Sequence, residues 1–191
     1  MSAFYSTTPT EIIAELKHLT FNWYIAGGWA LEVFKNQYIR EHHDMDIALL
    51  RGDQLKLKQQ LPGWEFKIAH EGVLHEWGDF EIQLPMHGIW ARKHGDDKWR
   101  TEFVLNEADD KNWIFRKDNR ITYPLAKMGV DVSGLPVLEP IIALLYKAKS
   151  HTAKNEIDFN ALLPVLDDER KRQLKEWLVV YDAGNEWLGR L

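Results

Sequence analysis

Tyr24-Ile25-Ala26-Gly27-Gly28-Trp29-Ala30-Leu31, followed a short way on by Arg40-Glu41-His42-His43-Asp44-Met45-Asp46-Ile47, is the stretch on which the reading of this chain turns. Residues 23–26 form a short apolar run of strand character. Gly27-Gly28 ends it, and residues 29–34 have the spacing of a helix. Residues 44–50 then alternate with strand period, so Met45, Ile47 and Leu49 point one way and Asp44, Asp46 and Ala48 the other. Carboxylates two apart on a strand share a face. Their like charges repel unless a cation sits between them. Mg²⁺ suits that place, because it prefers oxygen ligands and pairs with substrate phosphates. Two such ions would stabilise both the attacking and the leaving oxygen of a phosphoryl transfer. A turn without side chains lets backbone N–H groups approach a phosphate at the start of a helix. Taken singly, Asp-x-Asp is also a common solvated surface pattern and Gly-Gly a common turn. Their order, in a strand-turn-helix-strand context, favours the chemical reading.

Upstream, Thr8-Pro9-Thr10-Glu11 is a helix start, with a capping hydroxyl three residues before a Glu and Pro at the first helical position. Ile12, Ile13, Leu16 and Leu19 continue it as an apolar stripe. Downstream, residues 54–61 read as a helix closed by Pro62-Gly63. The middle of the chain is rich in expected strands, at 65–69, 73–77, 80–84, 89–93, 99–105 and 113–117, with Gly78-Asp79 and Gly95-Asp96 as hairpin signals. Glu139-Pro140 opens a helix to Lys149. Two more follow, at about 156–163 and at 168–181. Strands followed by clustered helices predict an α+β fold with a helical C-terminal section.

The 191 residues suit one domain, or one domain with a small helical partner. With no cysteine, disulfides, thiolate metal sites and thiol nucleophiles are excluded. No apolar run reaches the roughly 18 residues of a spanning helix, and the start lacks the layout of a signal peptide, so a cytoplasmic protein is expected. The net charge of −5 argues against a nucleic-acid partner, which needs a basic face. Nine tryptophans are many for this length, and most are expected in the core.

The stretches 24–31 and 39–47 resemble the signature of the nucleotidyltransferase superfamily that includes DNA polymerase beta. Within it, the chain is most similar to the aminoglycoside-2''-adenylyltransferase-like and lincosamide nucleotidyltransferase-like proteins. The similarity continues through 99–105, Trp113-Ile114-Phe115-Arg116-Lys117-Asp118, Ile121-Thr122-Tyr123-Pro124-Leu125, 144–149 and Glu156-Ile157-Asp158-Phe159. It implies a nucleotidyltransferase-type mixed β-sheet flanked by helices (residues 1–137), with a helical section (138–191) packed on it. It implies transfer of a nucleoside monophosphate, with AMP from ATP as the expected case, to a hydroxyl with Mg²⁺. Gly27 and Gly28 match the phosphate-side turn, and Asp44 and Asp46 the metal-binding pair.

The resemblance also calls for a third acid on a neighbouring strand. Glu102, in the alternating run Thr101-Glu102-Phe103-Val104-Leu105, is favoured over Glu81, as metal ligand or general base. Arg40 and Lys147 are candidates to neutralise triphosphate oxygens, with ion pairs to Glu41 and Asp158 as the alternative. His42, His43 and His87 are expected to have ordinary roles, and Trp29 and Trp90 to pack.

The expected partners are a nucleoside triphosphate and a small hydroxylated acceptor, aminoglycoside- or lincosamide-like, with no membrane. The alternatives are a toxin-like enzyme that modifies tRNA or protein, and a nucleotide-binding module without turnover.

Overall fold

The computed structural model describes residues 3–191. Helix α1 (Pro9–Leu16) starts with the expected capping box: Thr8 accepts from the Glu11 N–H, and the Glu11 carboxylate accepts from the Thr8 N–H. Then come β1 (Trp23–Ile25), α2 (Gly27–Lys35), β2 (Asp46–Leu50), α3 (Gln54–Gln60), β3 (Trp64–His70), β4 (Val73–Glu76), β5 (Gly88–Lys93), β6 (Thr101–Ala108), β7 (Asn112–Ile114), β8 (Thr122–Pro124), β9 (Gly129–Val132) and β10 (Leu135–Leu138). Helices α4 (Pro140–Lys147), α5 (Ala153–Leu162) and α6 (Asp168–Tyr181) complete the chain. This is the α+β class read from the sequence.

The main sheet runs β4-β3-β5-β6-β2-β1-β10-β9, with β7 and β8 attached beyond β6. It is mixed: β2 lies parallel to β6 and antiparallel to β1, and β5 is antiparallel to β6. Side chains alternate across it. Met45 and, on β2, Ile47 and Leu49 join Ile12, Leu16 and Leu57 in the core under α1 and α3. Ala48 faces the opposite core, built from α2, α4, α5 and α6. Asp46 shares that second face. Helix α4 is almost wholly buried from Pro140 to Leu145, as its unbroken apolar run requires.

Several expected elements differ. Residues 80–84 form no strand. Ile82 is buried, but its N–H is taken by the Gln54 side chain, so it is unavailable to a neighbouring strand. The strand expected at 113–117 stops at Ile114, and Arg116 lies in the turn after it. β8, β9 and β10 were not expected. They are three or four residues long, too short to establish an alternation. Among the described residues no helix is long and apolar enough to cross a membrane.

Candidate active site

A cleft of about 380 Å³ opens between the sheet and the helical section. Its floor is the alternate residues of two parallel strands: Asp46 and Ala48 from β2, and Glu102, Val104 and Asn106 from β6. Gly27 borders it at the start of α2, and His87 at the start of β5. Tyr146, Lys147, Lys154 and Asn155 come from the helices, and Arg116 and Lys117 from the turn after β7.

Asp46 and Glu102 are direct partners in the parallel register, so their carboxylates leave the same face side by side. Burial, then the charge of Asp44, pushes the Asp46 carboxyl up to about 6. Burial, then the charge of Asp46, pushes Glu102 up to about 7, against a hydrogen bond from the Trp90 indole opposite it on β5. In both, burial and the neighbouring carboxylate outweigh the cations of the cleft.

The glycines serve two different neighbours. Gly27 has φ +59°, and a Cβ there would lie 1.9 Å from Asp46 Oδ2. Only glycine admits both the backbone conformation and the carboxylate beside it. A Cβ on Gly28 would instead meet Arg40 and His42, at 2.4 and 2.6 Å. Gly28 therefore makes room for packing and does not border the cleft.

Other expectations need correction. Asp44 precedes β2 and is exposed. It does not line the cleft, although its charge is felt by both buried carboxylates. Arg40 is not free for phosphate. Its Nε and Nη2 donate to the two oxygens of Asp158, at 2.9 Å each, and Asp158 is fully buried. Lys147 lines the cleft but also pairs with Asp158, at 2.9 Å. Glu81 is exposed and borders a separate depression with Arg51 and Gln83. Of the two candidate third acids, only Glu102 stands beside Asp46.

His42 is buried, bonded to Glu32 at 3.0 Å and stacked on Trp29. Burial holds its imidazole below the usual range. His43 is exposed near Glu41. Trp90 packs on Phe4 and Trp99.

Arg116, Lys117, Lys154 and Asn155 were missed as cleft residues. The signal for Lys154 was available: Thr152 caps α5 by accepting from the Asn155 N–H, which puts Lys154 in the first turn. Asn155 ties that turn back to α4 through Lys147 O and Ser150 O. Arg116 carried no such signal, because its place depends on the hairpin turning back over α4.

Among the described residues, no three His, Asp or Glu side chains converge into a complete cage. Mg²⁺ does not require one, since it keeps waters and takes one or two carboxylates with substrate phosphate. Asp46 and Glu102, adjacent and without an ion pair among the described residues, fit that demand.

Three structural likenesses accord with this geometry. The lincosamide antibiotic adenylyltransferase LnuA, in its lincomycin-bound crystal structure, is similar with a TM-score of 0.54 and 16% identity, over 81% of this chain and 94% of that one. The crystal structure of ANT(2'')-Ia with adenylyl-2''-tobramycin gives 0.56 and 13%, over 90% and 95%. Its solution structure gives 0.54 and 18%, over 90% and 90%. At these identities the likeness speaks for the fold. No curated protein matches the chain. A sequence profile of the aminoglycoside-2''-adenylyltransferase family matches residues 10–73.

Over those residues the chain is similar to the aminoglycoside-2''-adenylyltransferase family. The matched segment holds Gly27, Asp44 and Asp46. Glu102 and the cationic wall of the cleft lie beyond it.

Proposed function

We propose that this protein transfers a nucleoside monophosphate, AMP from ATP, to a hydroxyl of a small acceptor. The observation that carries this reading is the pairing of Asp46 and Glu102 in register beside a glycine that a side chain cannot replace. The triphosphate lies against the start of α2, where Gly27 lets the backbone approach and Lys147 and Lys154 add positive charge. Asp46 and Glu102 would hold Mg²⁺. When bound, that ion supplies charge neutralisation for the phosphates and orients the reacting phosphoryl group.

The chain's own residues do the rest. Glu102, beside Asp46 on the cleft floor, would take the proton of the acceptor hydroxyl, a role that depends on hydrogen-bond reach. The hydroxyl oxygen forms a bond to the α-phosphorus, and the bond from that phosphorus to pyrophosphate breaks. The products are the nucleotidylated acceptor and pyrophosphate, with the proton on the carboxylate. Little covalent help is needed, because phosphoryl transfer depends mainly on positioning and charge.

Mass spectrometry of products from labelled ATP and GTP, with lincosamides, aminoglycosides and tRNA as acceptors, tests the reading. A mass gain of one nucleoside monophosphate on a small acceptor is expected. Asp46→Asn is expected to lower the rate about a thousandfold or more, since it removes a charge used for phosphate neutralisation. Full activity of that variant, or no Mg²⁺-dependent binding of either nucleotide by the wild-type protein, would overturn it.

A further inference from the structure

The cations of the cleft fall into two groups, divided by the carboxylate pair. In the sheet, β1 and the start of α2 lie on the Asp46 side, and β5 on the Glu102 side. Gly27 abuts Asp46, whereas a Cβ on Gly88 of β5 would lie 2.5 Å from Glu102 Oε1. The positive charges follow the same division. Lys147 and Lys154, with Arg40 behind them, act on Asp46. Arg116 acts on Glu102, and Arg116 and Lys117 act on His87. A triphosphate laid along Gly27, Lys147 and Lys154 leaves the second group facing whatever approaches from the Glu102 side.

That second group is incompletely satisfied. Arg116 lies over the Tyr146 ring, with its guanidinium carbon 4.4 Å from the centroid. Arg116 Nη1 and the Tyr146 hydroxyl are both buried and make no well-formed hydrogen bond, although Arg116 lies near enough to the hydroxyl to act against its burial. Buried polar atoms are nearly always paired, so two orphans on one wall of one cleft point to a ligand. Neighbouring acids do not supply the missing charge: Glu107 is paired with Arg51 and Asp118 with Arg120. Neither Arg116 nor Lys117 has an ion-pair partner among the described residues. Beside them, His87 has Nδ1 2.9 Å from the Pro85 carbonyl. A carbonyl only accepts, so Nδ1 carries the proton and Nε2 is left as an acceptor for a hydroxyl.

Building on the nucleotidyl-transfer reading, we infer that the Arg116–His87 side of the cleft is the acceptor subsite, and that it selects an acceptor carrying an oxyanion near its reactive hydroxyl. The oxyanion, a phosphate or a carboxylate, meets the Arg116 fork, the Tyr146 hydroxyl and Lys117. A guanidinium fork matches either group. A polycationic acceptor such as the tobramycin of the ANT(2'')-Ia complex meets like charge here and is disfavoured.

The test is an NMR titration of the full chain with inorganic phosphate, in saturating Mg²⁺ and a non-hydrolysable ATP analogue. Phosphate is expected to bind this complex. Arg116→Met is expected to weaken it about tenfold or more, with the analogue's affinity unchanged, and Arg116→Lys to restore part of it. Lys154→Met is expected to do the reverse, weakening the analogue and sparing phosphate. Failure of phosphate to bind while the analogue is bound would overturn the acceptor assignment alone. So would a loss of analogue affinity in Arg116→Met equal to that in Lys154→Met. No analogue binding by the wild-type protein would overturn the nucleotidyl-transfer reading together with the assignment.

Discussion

Two arginines beside the same cleft have opposite circumstances. Arg40 is closed off: its fork is filled by Asp158, which also takes Lys147. Arg116 rests on a tyrosine ring with part of its fork unfilled. The first arrangement is a joint, tying the loop before β2 to α4 and α5 and so holding the helical section against the carboxylate floor. The second is an open hand. A buried charge with a full set of partners serves the fold, and one left short is available to a ligand.

The largest effect should come from breaking the joint. Asp158→Ala leaves two cations without their shared partner, and urea denaturation is expected to show a loss of about 3–5 kcal/mol. A loss under about 1 kcal/mol would mean that the joint is dispensable. Gly28→Ala presses on the same network from the other side, since its Cβ would stand 2.4 Å from Arg40 Nη2. It is expected to cost about 1–3 kcal/mol by overpacking, again read by denaturation.

A smaller effect is set by pH. Burial alone would raise the Asp158 carboxyl, but the hydrogen bonds from Arg40 and the charge of Lys147 overcome it and hold the group below the usual carboxylate range. A depressed carboxylate stabilises the fold above its unfolded pKa, about 4, and that contribution is lost as pH falls through the folded value. The stability difference between wild type and Asp158→Asn should therefore be flat near neutrality and shrink below about pH 4. The smallest effect is expected at the open arginine. Arg116→Met removes an unsatisfied buried donor along with a ring contact, and should change stability by less than about 1 kcal/mol. A loss as large as that of Asp158→Ala would erase the contrast and make Arg116 a second joint.

The sequence was informative where chemistry sits close together along the chain. The capping box at Thr8, the Gly27 turn and the Asp46 strand were all legible, because each is a local pattern of a few residues. The same local view began the strand at Asp44, two residues early, and took 80–84 for a strand although Gln54 captures the Ile82 N–H. It offered Arg40 to the triphosphate, because the distance from Arg40 to Asp158 in space cannot be read from their separation in the chain. Glu102 was preferred to Glu81 because the residues after it follow the order of the family the chain resembles; it is the parallel register that sets it beside Asp46.

The chain by itself specified an α+β protein with a glycine turn, an acidic strand and three closing helices, since apolar period and turn chemistry are written residue by residue. Which acids share a face, which cations are consumed by Asp158 and which are left for a ligand was decided only on folding. Those are pairings between distant segments, and register and burial, unlike periodicity, exist only once the strands and helices have met.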